Sequence, residues 1–124
     1  MAGVNQREGN FRELRVWRTS MTLVDESYRI ARLLPAYELY GLTNQLRRAA
    51  VSIPANIAEG NRRVHRKEYI HHLSIARGSV AELETHIEIA RMQSYIPANQ
   101  LETAQELIDH VSRMLTRLII SLQG

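Results

Sequence analysis

Five polar residues on one segment, Gln45, Arg48, Ser52, Asn56 and Glu59, have the types and spacing to do chemistry. They recur at steps of three, four, four and three, and Arg63 continues the series. At about 100° per residue, that spacing puts them on one side of a helix. They offer amide, guanidinium, hydroxyl and carboxylate groups, so the stripe can both donate and accept hydrogen bonds. Two readings follow. A buried, mutually satisfied network would fix helix register, because an unpaired buried polar group is costly. An exposed set would form a hydrogen-bonding face for a ligand. Ser52 has a further local option, bonding back to the carbonyl of Arg48 and easing a bend at Pro54.

A second chemistry lies just beyond, in Arg62-Arg63-Val64-His65-Arg66-Lys67. This run falls at the turn between two helices, where the following helix begins. Free N–H groups and the positive dipole end there reinforce the cationic side chains of Arg62, Arg63, Arg66 and Lys67. The combination suits phosphate, although a solvated basic turn would read the same way. None of the four falls on an apolar stripe, so replacing them should leave the fold intact. Arg12, Arg15 and Arg18 on the first helix, and Arg47 on the second, could extend the patch. No aromatic platform of the kind that stacks single-stranded bases stands out. Contacts to RNA or DNA are therefore expected to be made to the phosphate backbone, with weak sequence preference.

Charge patterning supports an anionic partner. Fifteen of the sixteen basic residues are arginine, the residue suited to bidentate phosphate pairing. A GC-rich genome would also favour arginine. It would not explain why residues 1–66 sum to +5 and residues 67–124 to −2.

Catalysis finds less support. Glu68-x-x-His71 matches one half of a di-iron bundle site, which needs two such pairs and two further inward glutamates. His71 and His72 are adjacent and diverge around a helix, and Glu106 with His110 reads as an i,i+4 surface pair. The chain has no cysteine, no glycine-rich phosphate loop and no strand-to-helix elbow at Gly78-Ser79. No catalytic group, metal or cofactor is expected.

The elements that must position these residues are four helices. Residues 1–10 read as a flexible leader and residues 11–124 as one domain. The first helix has a seam at Leu14, Trp17, Met21, Val24, Tyr28 and Ala31, ending before Pro35. The second carries Leu42, Leu46, Ala49, Ile53 and Ile57, kinks at Pro54, and closes on a left-handed cap at Gly60 or Asn61. The third carries Tyr69, Leu73, Ala76, Val80, Leu83, Ile87 and Ala90. The fourth carries Leu101, Ala104, Ile108, Val111, Leu115, Leu118 and Leu122. Short connections make this an all-α, antiparallel up-down-up-down four-helix bundle. Ile70, Ile75 and Ile89, with Leu107, Met114, Ile119 and Ile120, exceed one seam and predict self-association. The first ten residues lack a signal peptide's apolar core, and no apolar run would span a bilayer. No membrane contact is expected, and a bacterial cytoplasm is the expected setting.

The segment Gln45-x-x-Arg48-Ala49-Ala50-x-Ser52-Ile53-x-x-Asn56-Ile57-Ala58-Glu59-Gly60 resembles the core motif of the 23S rRNA intervening-sequence protein family. So do Phe11-x-x-Leu14-x-Val16-Trp17, Leu34-Pro35-x-x-Glu38-x-Tyr40-Gly41-Leu42 and Ile75-Ala76-Arg77-Gly78-Ser79-x-x-Glu82-Leu83-Glu84-Thr85. The resemblance covers roughly residues 11–122. It departs at His65, where the family more often has serine or a similar cap. It implies a bacterial four-helix bundle forming homo-oligomers, a pentameric ring being the expected form. Family genes sit in inserts of large ribosomal RNA genes. Related bundles resemble accessory proteins of diversity-generating retroelements, whose partners are a reverse transcriptase and its template RNA. The leading expectation is a non-enzymatic oligomer that binds structured RNA, other nucleic acid or an RNA–protein complex. A protein–protein scaffold with no nucleic-acid role is the alternative.

Overall fold

A computed structural model describes residues 10–124. The expected leader therefore lies almost wholly outside the described residues. Four helices carry the described chain: α1 (Arg15–Leu33), α2 (Leu42–Arg62), α3 (Arg66–Met92) and α4 (Glu102–Gln123). Short 3-10 turns stand at Phe11–Glu13, Ala36–Glu38 and Ala98–Gln100. α1 packs on α2 and α4, and α3 packs on α2 and α4, giving the four-cornered antiparallel bundle. The α2–α3 interface is the most extensive. No helix of the described residues is long and apolar enough to cross a membrane.

Periodicity locates the core well on three helices. All seven expected seam residues of α3, Tyr69 to Ala90, are buried. On α2, Leu46, Ala49, Ile53 and Ile57 are buried, and the helix runs on through Pro54. On α4 the inward positions run from Leu101 to Leu115 and then step to Ile119, leaving Leu118 and Leu122 half-buried. Each fully buried Leu or Ile contributes about 1.5–3 kcal/mol.

On α1 the expected seam is wrong. The inward residues are Val16, Ser20, Leu23, Ser27, Ile30 and Ala31, of which the expected seam contains only Ala31, while Met21 is 42% exposed. Leu14, Trp17 and Val24 are only half-buried at its edge. The two serines hide the true stripe from a reading based on apolar residues. Their hydroxyls are satisfied within the helix, Ser20 donating to the Trp17 carbonyl and Ser27 to that of Leu23, each at 2.7 Å. A serine bonded in this way can sit in a core without stranding a donor.

Gly60 also differs from expectation. It lies inside α2, which runs on to Arg62 and ends with Arg63 extended at φ −73°, ψ 147°. Its role is close approach. A Cβ there would lie 2.8 Å from His72 Cβ, 3.1 Å from Tyr69 Cδ1 and 3.2 Å from the Tyr69 carbonyl oxygen. The absent side chain lets α2 and α3 pack close together.

The connection into α2 explains Glu38 and Gly41. The Leu42 amide donates to Glu38 Oε1 at 3.0 Å, and the Tyr95 hydroxyl donates to Oε2 at 2.8 Å. One carboxylate thus caps α2 and ties it to the α3–α4 connection. A Cβ on Gly41 would lie 2.8 Å from that Oε1. The Leu42 amide and then the Tyr95 hydroxyl hold the Glu38 carboxyl below the usual carboxylate range. α3 ends with Ser94 at φ 61°, its amide bonded to the Arg91 carbonyl and that of Tyr95 to the Ala90 carbonyl. That is a Schellman stop with serine where glycine is usual.

The apolar surplus on α3 and α4 is largely absorbed. Ile119 is core, and Ile70, Leu107 and Met114 pack against it, so only Ile75, Ile89 and Ile120 stand exposed. A further set clusters at the α1–α2 turn and the end of α3: Leu33, Tyr37, Leu39, Tyr40 and Met92, with Tyr37 edge-on to Tyr95.

Candidate nucleic-acid interface

The antiparallel topology decides which cations meet. The start of α1, the end of α2, the start of α3 and the end of α4 share one end of the bundle. Arg12, Arg15, Arg62, Arg63, Arg66 and Lys67 all stand there, and all are exposed. Phe11 joins two of the helices. Its ring carries the Arg12 guanidinium at 4.8 Å and that of Arg62 at 5.2 Å, and it meets Trp17 edge-on at 5.3 Å. Arginine stacked on an aromatic face keeps its donors free at the edge of the plane.

The cations differ in what else they do. Arg66 donates to the Leu122 carbonyl at 3.2 Å, satisfying a free acceptor at the end of α4. Arg63 pairs with Glu59 at 2.6 Å, one turn back along α2. Arg18 donates to the carbonyls of Glu13 at 2.7 Å and Arg12 at 3.2 Å, so it secures the first 3-10 turn. Lys67 and Arg15 make no side-chain hydrogen bond or ion pair with the described residues. His65 precedes α3 without a side-chain cap, leaving the first-turn amides uncapped by a side chain. Arg47 stands apart, about 22 Å along α2 from Arg62 at 1.5 Å per residue. It rests over Tyr28 at 5.5 Å, half-buried.

The polar stripe divides into two parts. Ser52 and Asn56 are half-buried between α2 and α3. The Ser52 hydroxyl pairs with that of Ser79 at 2.8 Å rather than with the Arg48 carbonyl. The Asn56 amide donates to the Ser52 carbonyl at 3.0 Å and hydroxyl at 3.1 Å. Its oxygen meets His72 Nδ1 at 3.0 Å. With the amide nitrogen engaged by Ser52, the oxygen must accept, so Nδ1 of His72 carries the proton. His72 Nε2 then faces Glu59 at 3.8 Å, the same carboxylate oxygen that holds Arg63. The hydrogen bonds of this network stop at His72, and the Glu59–Arg63 ion pair at the basic end lies beyond that 3.8 Å gap.

Gln45 and Arg48, the other part of the stripe, are exposed. With Ala49 and Ser52 of α2, and Glu82 and His86 of α3, they line a cleft of about 290 Å³. Arg48 also borders a second opening of about 410 Å³, where Tyr28, Asn44 and Arg47 stand. Spacing alone gives no site role to Phe11, His72, Ser79, Glu82 or His86. Phe11, Ser79 and Glu82 stand within the recognised motifs, but their spacing does not mark them as partners of the α2 stripe. Elsewhere, His71 and His72 sit edge-on with ring centres 5.8 Å apart. Among the described residues no three His, Asp or Glu side chains gather as metal ligands would.

Comparison with known proteins agrees with this architecture. A crystal structure at 1.70 Å of a protein of unknown function, from the S23 ribosomal protein family of Bacteroides thetaiotaomicron, is similar with a TM-score of 0.77. It is 24% identical, over 84% of this chain and 97% of that one, a likeness that bears on the fold alone. Among curated proteins no match is found. The sequence profile described as 23S rRNA-intervening sequence protein matches residues 12–117, and the chain belongs to that family.

Proposed function

We propose that this bundle is a non-enzymatic RNA-binding protein whose contact is the basic end. The observation that carries this reading is the gathering of six exposed cations from three helices at one end of the molecule. Phosphate contacts need exposed cations on a surface the fold holds in place, and the Phe11 stack with Arg12 and Arg62 provides such a mount. DNA of similar charge density competes for the same surface. A family described by an rRNA insert favours structured RNA as the natural partner. A reverse transcriptase with its template RNA is the alternative setting that the resemblance implies. Exposed Ile75, Ile89 and Ile120 support self-association, with a pentameric ring the form expected from the resemblance. Repeating the basic end around a ring would multiply modest contacts by avidity.

The test is RNA binding as a function of salt, by parent and by a variant with Arg12, Arg62, Arg63 and Lys67 replaced by Gln. Arg66 is kept because it caps α4. For each single-strand phosphate that the variant no longer neutralises, the log–log slope should flatten by about 0.7. A variant that binds RNA as the parent does at matched salt overturns the reading. The scaffold alternative draws on the exposed Tyr37, Tyr40 and Met92 at the opposite end, and it predicts no salt-dependent RNA retention at all.

A further inference from the structure

We propose that the cleft between α2 and α3 receives an unstacked guanine base, held by Arg48 on one edge and Glu82 on the other. The proposal deepens the RNA-binding reading and rests on it for its biological setting. The starting point is an opposition of charges. Arg48 and Glu82 project from different helices into one cleft, both are exposed, and neither makes an ion pair or side-chain hydrogen bond with any described residue. A cation and an anion that line one space without closing on each other leave room for a group that satisfies both. That group must offer paired acceptors to a guanidinium and paired donors to a carboxylate. Guanine does so in one plane: O6 and N7 accept from arginine, while N1–H and the N2 amine donate to carboxylate.

The rest of the lining fits a planar polar guest. Ala49 contributes no side chain beyond Cβ, and Gln45 adds an amide that can both donate and accept. His86 lines the same cleft, and its buried Nδ1 has no hydrogen-bond partner among the described residues, so a rotated ring could turn that nitrogen toward a bound polar group. At about 290 Å³ the cleft has space for one base. Adenine presents an amine where guanine has O6 and lacks both the N1 proton and the N2 amine. It would set a donor against Arg48 and leave Glu82 unsatisfied. The second opening lies across Arg48 and is bordered by Tyr28, whose ring already carries the Arg47 guanidinium at 5.5 Å, so a neighbouring nucleotide there would meet Arg47 rather than a bare ring. A chain of nucleotides explains two openings around one guanidinium more simply than a single small molecule does.

The experiment titrates the whole chain with GMP and with AMP, following the ring resonances of His86 by NMR. Both nucleotides carry the same phosphate, so any attraction to the basic end cancels in the comparison. GMP should bind about tenfold or more tighter than AMP, the discrimination of one good bidentate pair. IMP, which lacks the N2 amine, should fall between them. Arg48→Gln and Glu82→Gln should each bring GMP close to AMP; both side chains are exposed, and unchanged thermal melts would show the variants folded. Equal binding of GMP and AMP by the parent overturns the proposal, as does a guanine preference that survives Glu82→Gln. Failure of the RNA reading appears separately, as unaltered RNA binding by the variant lacking Arg12, Arg62, Arg63 and Lys67.

Discussion

Gly60 and Asn56 show how tightly single residues govern the α2–α3 interface. Gly60→Ala would force a Cβ to 2.8 Å from His72 Cβ and 3.2 Å from the Tyr69 carbonyl oxygen, with backbone on one side unable to yield. Overpacking of this kind costs about 1–3 kcal/mol, and a lowered denaturation midpoint would register it. Asn56→Ala removes the amide that joins Ser52 to His72, leaving His72 Nδ1 without its partner while Ser52 keeps Ser79, and should cost about 1–3 kcal/mol. Arg15→Ala, at an exposed position without a described partner, should cost under about 0.5 kcal/mol. Equal losses at Asn56 and Arg15 would show that the network does not hold the interface. Glu38 makes a prediction in pH. Its folded carboxyl is held below the ordinary value of 4.5, so its contribution is present above that value. The contribution is lost as pH falls through the lower, folded value. Melting temperatures of parent and Glu38→Gln, followed from about pH 6 down to about pH 3, should converge as the parent loses this advantage. A gap that stays constant with pH would remove the carboxylate from the account.

At the scale of elements, the stop of α3 carries avoidable strain. Ser94 sits at φ 61°, a region that costs a residue with a Cβ about 1–2 kcal/mol. Ser94→Gly should therefore stabilise the fold by up to about 1 kcal/mol once the greater freedom of glycine in the unfolded chain is subtracted, and so raise the melting temperature. A lowered melting temperature would mean that the serine hydroxyl contributes more than the strain removes. Three of the four inward faces were legible because apolar residues on α2, α3 and α4 recur at helical spacing, whereas the end of α2 at Arg62 was not. α1 was misread because two of its inward positions are serines, and a hydroxyl bonded to its own helix leaves no trace in an apolar pattern. The basic run at residues 62–67 was legible as one contiguous segment. Its convergence with Arg12 through Phe11 was not, since that depends on which helix ends the topology brings together. The cleft was half legible: Gln45, Arg48 and Ser52 share a stripe on α2. Glu82 and His86 come from another helix, whose facing residues no spacing within α2 can specify.

Considered as a whole, the molecule has unlike ends. Six cations crowd one, while Leu33, Tyr37, Leu39, Tyr40 and Met92 are exposed at the other. Self-association is expected at micromolar concentration, through the exposed isoleucines on α3. Ile75→Glu with Ile89→Glu should give a sedimentation profile of single 14.3 kDa chains with helical content unchanged. A parent that already sediments as the monomer would defeat the expectation. The unlike ends also make the bundle a vector. At 1.5 Å per residue, the 27 residues of α3 separate the two ends by about 40 Å. Copies gripped by their cationic ends along a strand must all stand the same way up. They would carry their tyrosines outward like the tails of a detergent on an anionic thread, giving a bare polyelectrolyte an aromatic coat one bundle-length from its phosphates.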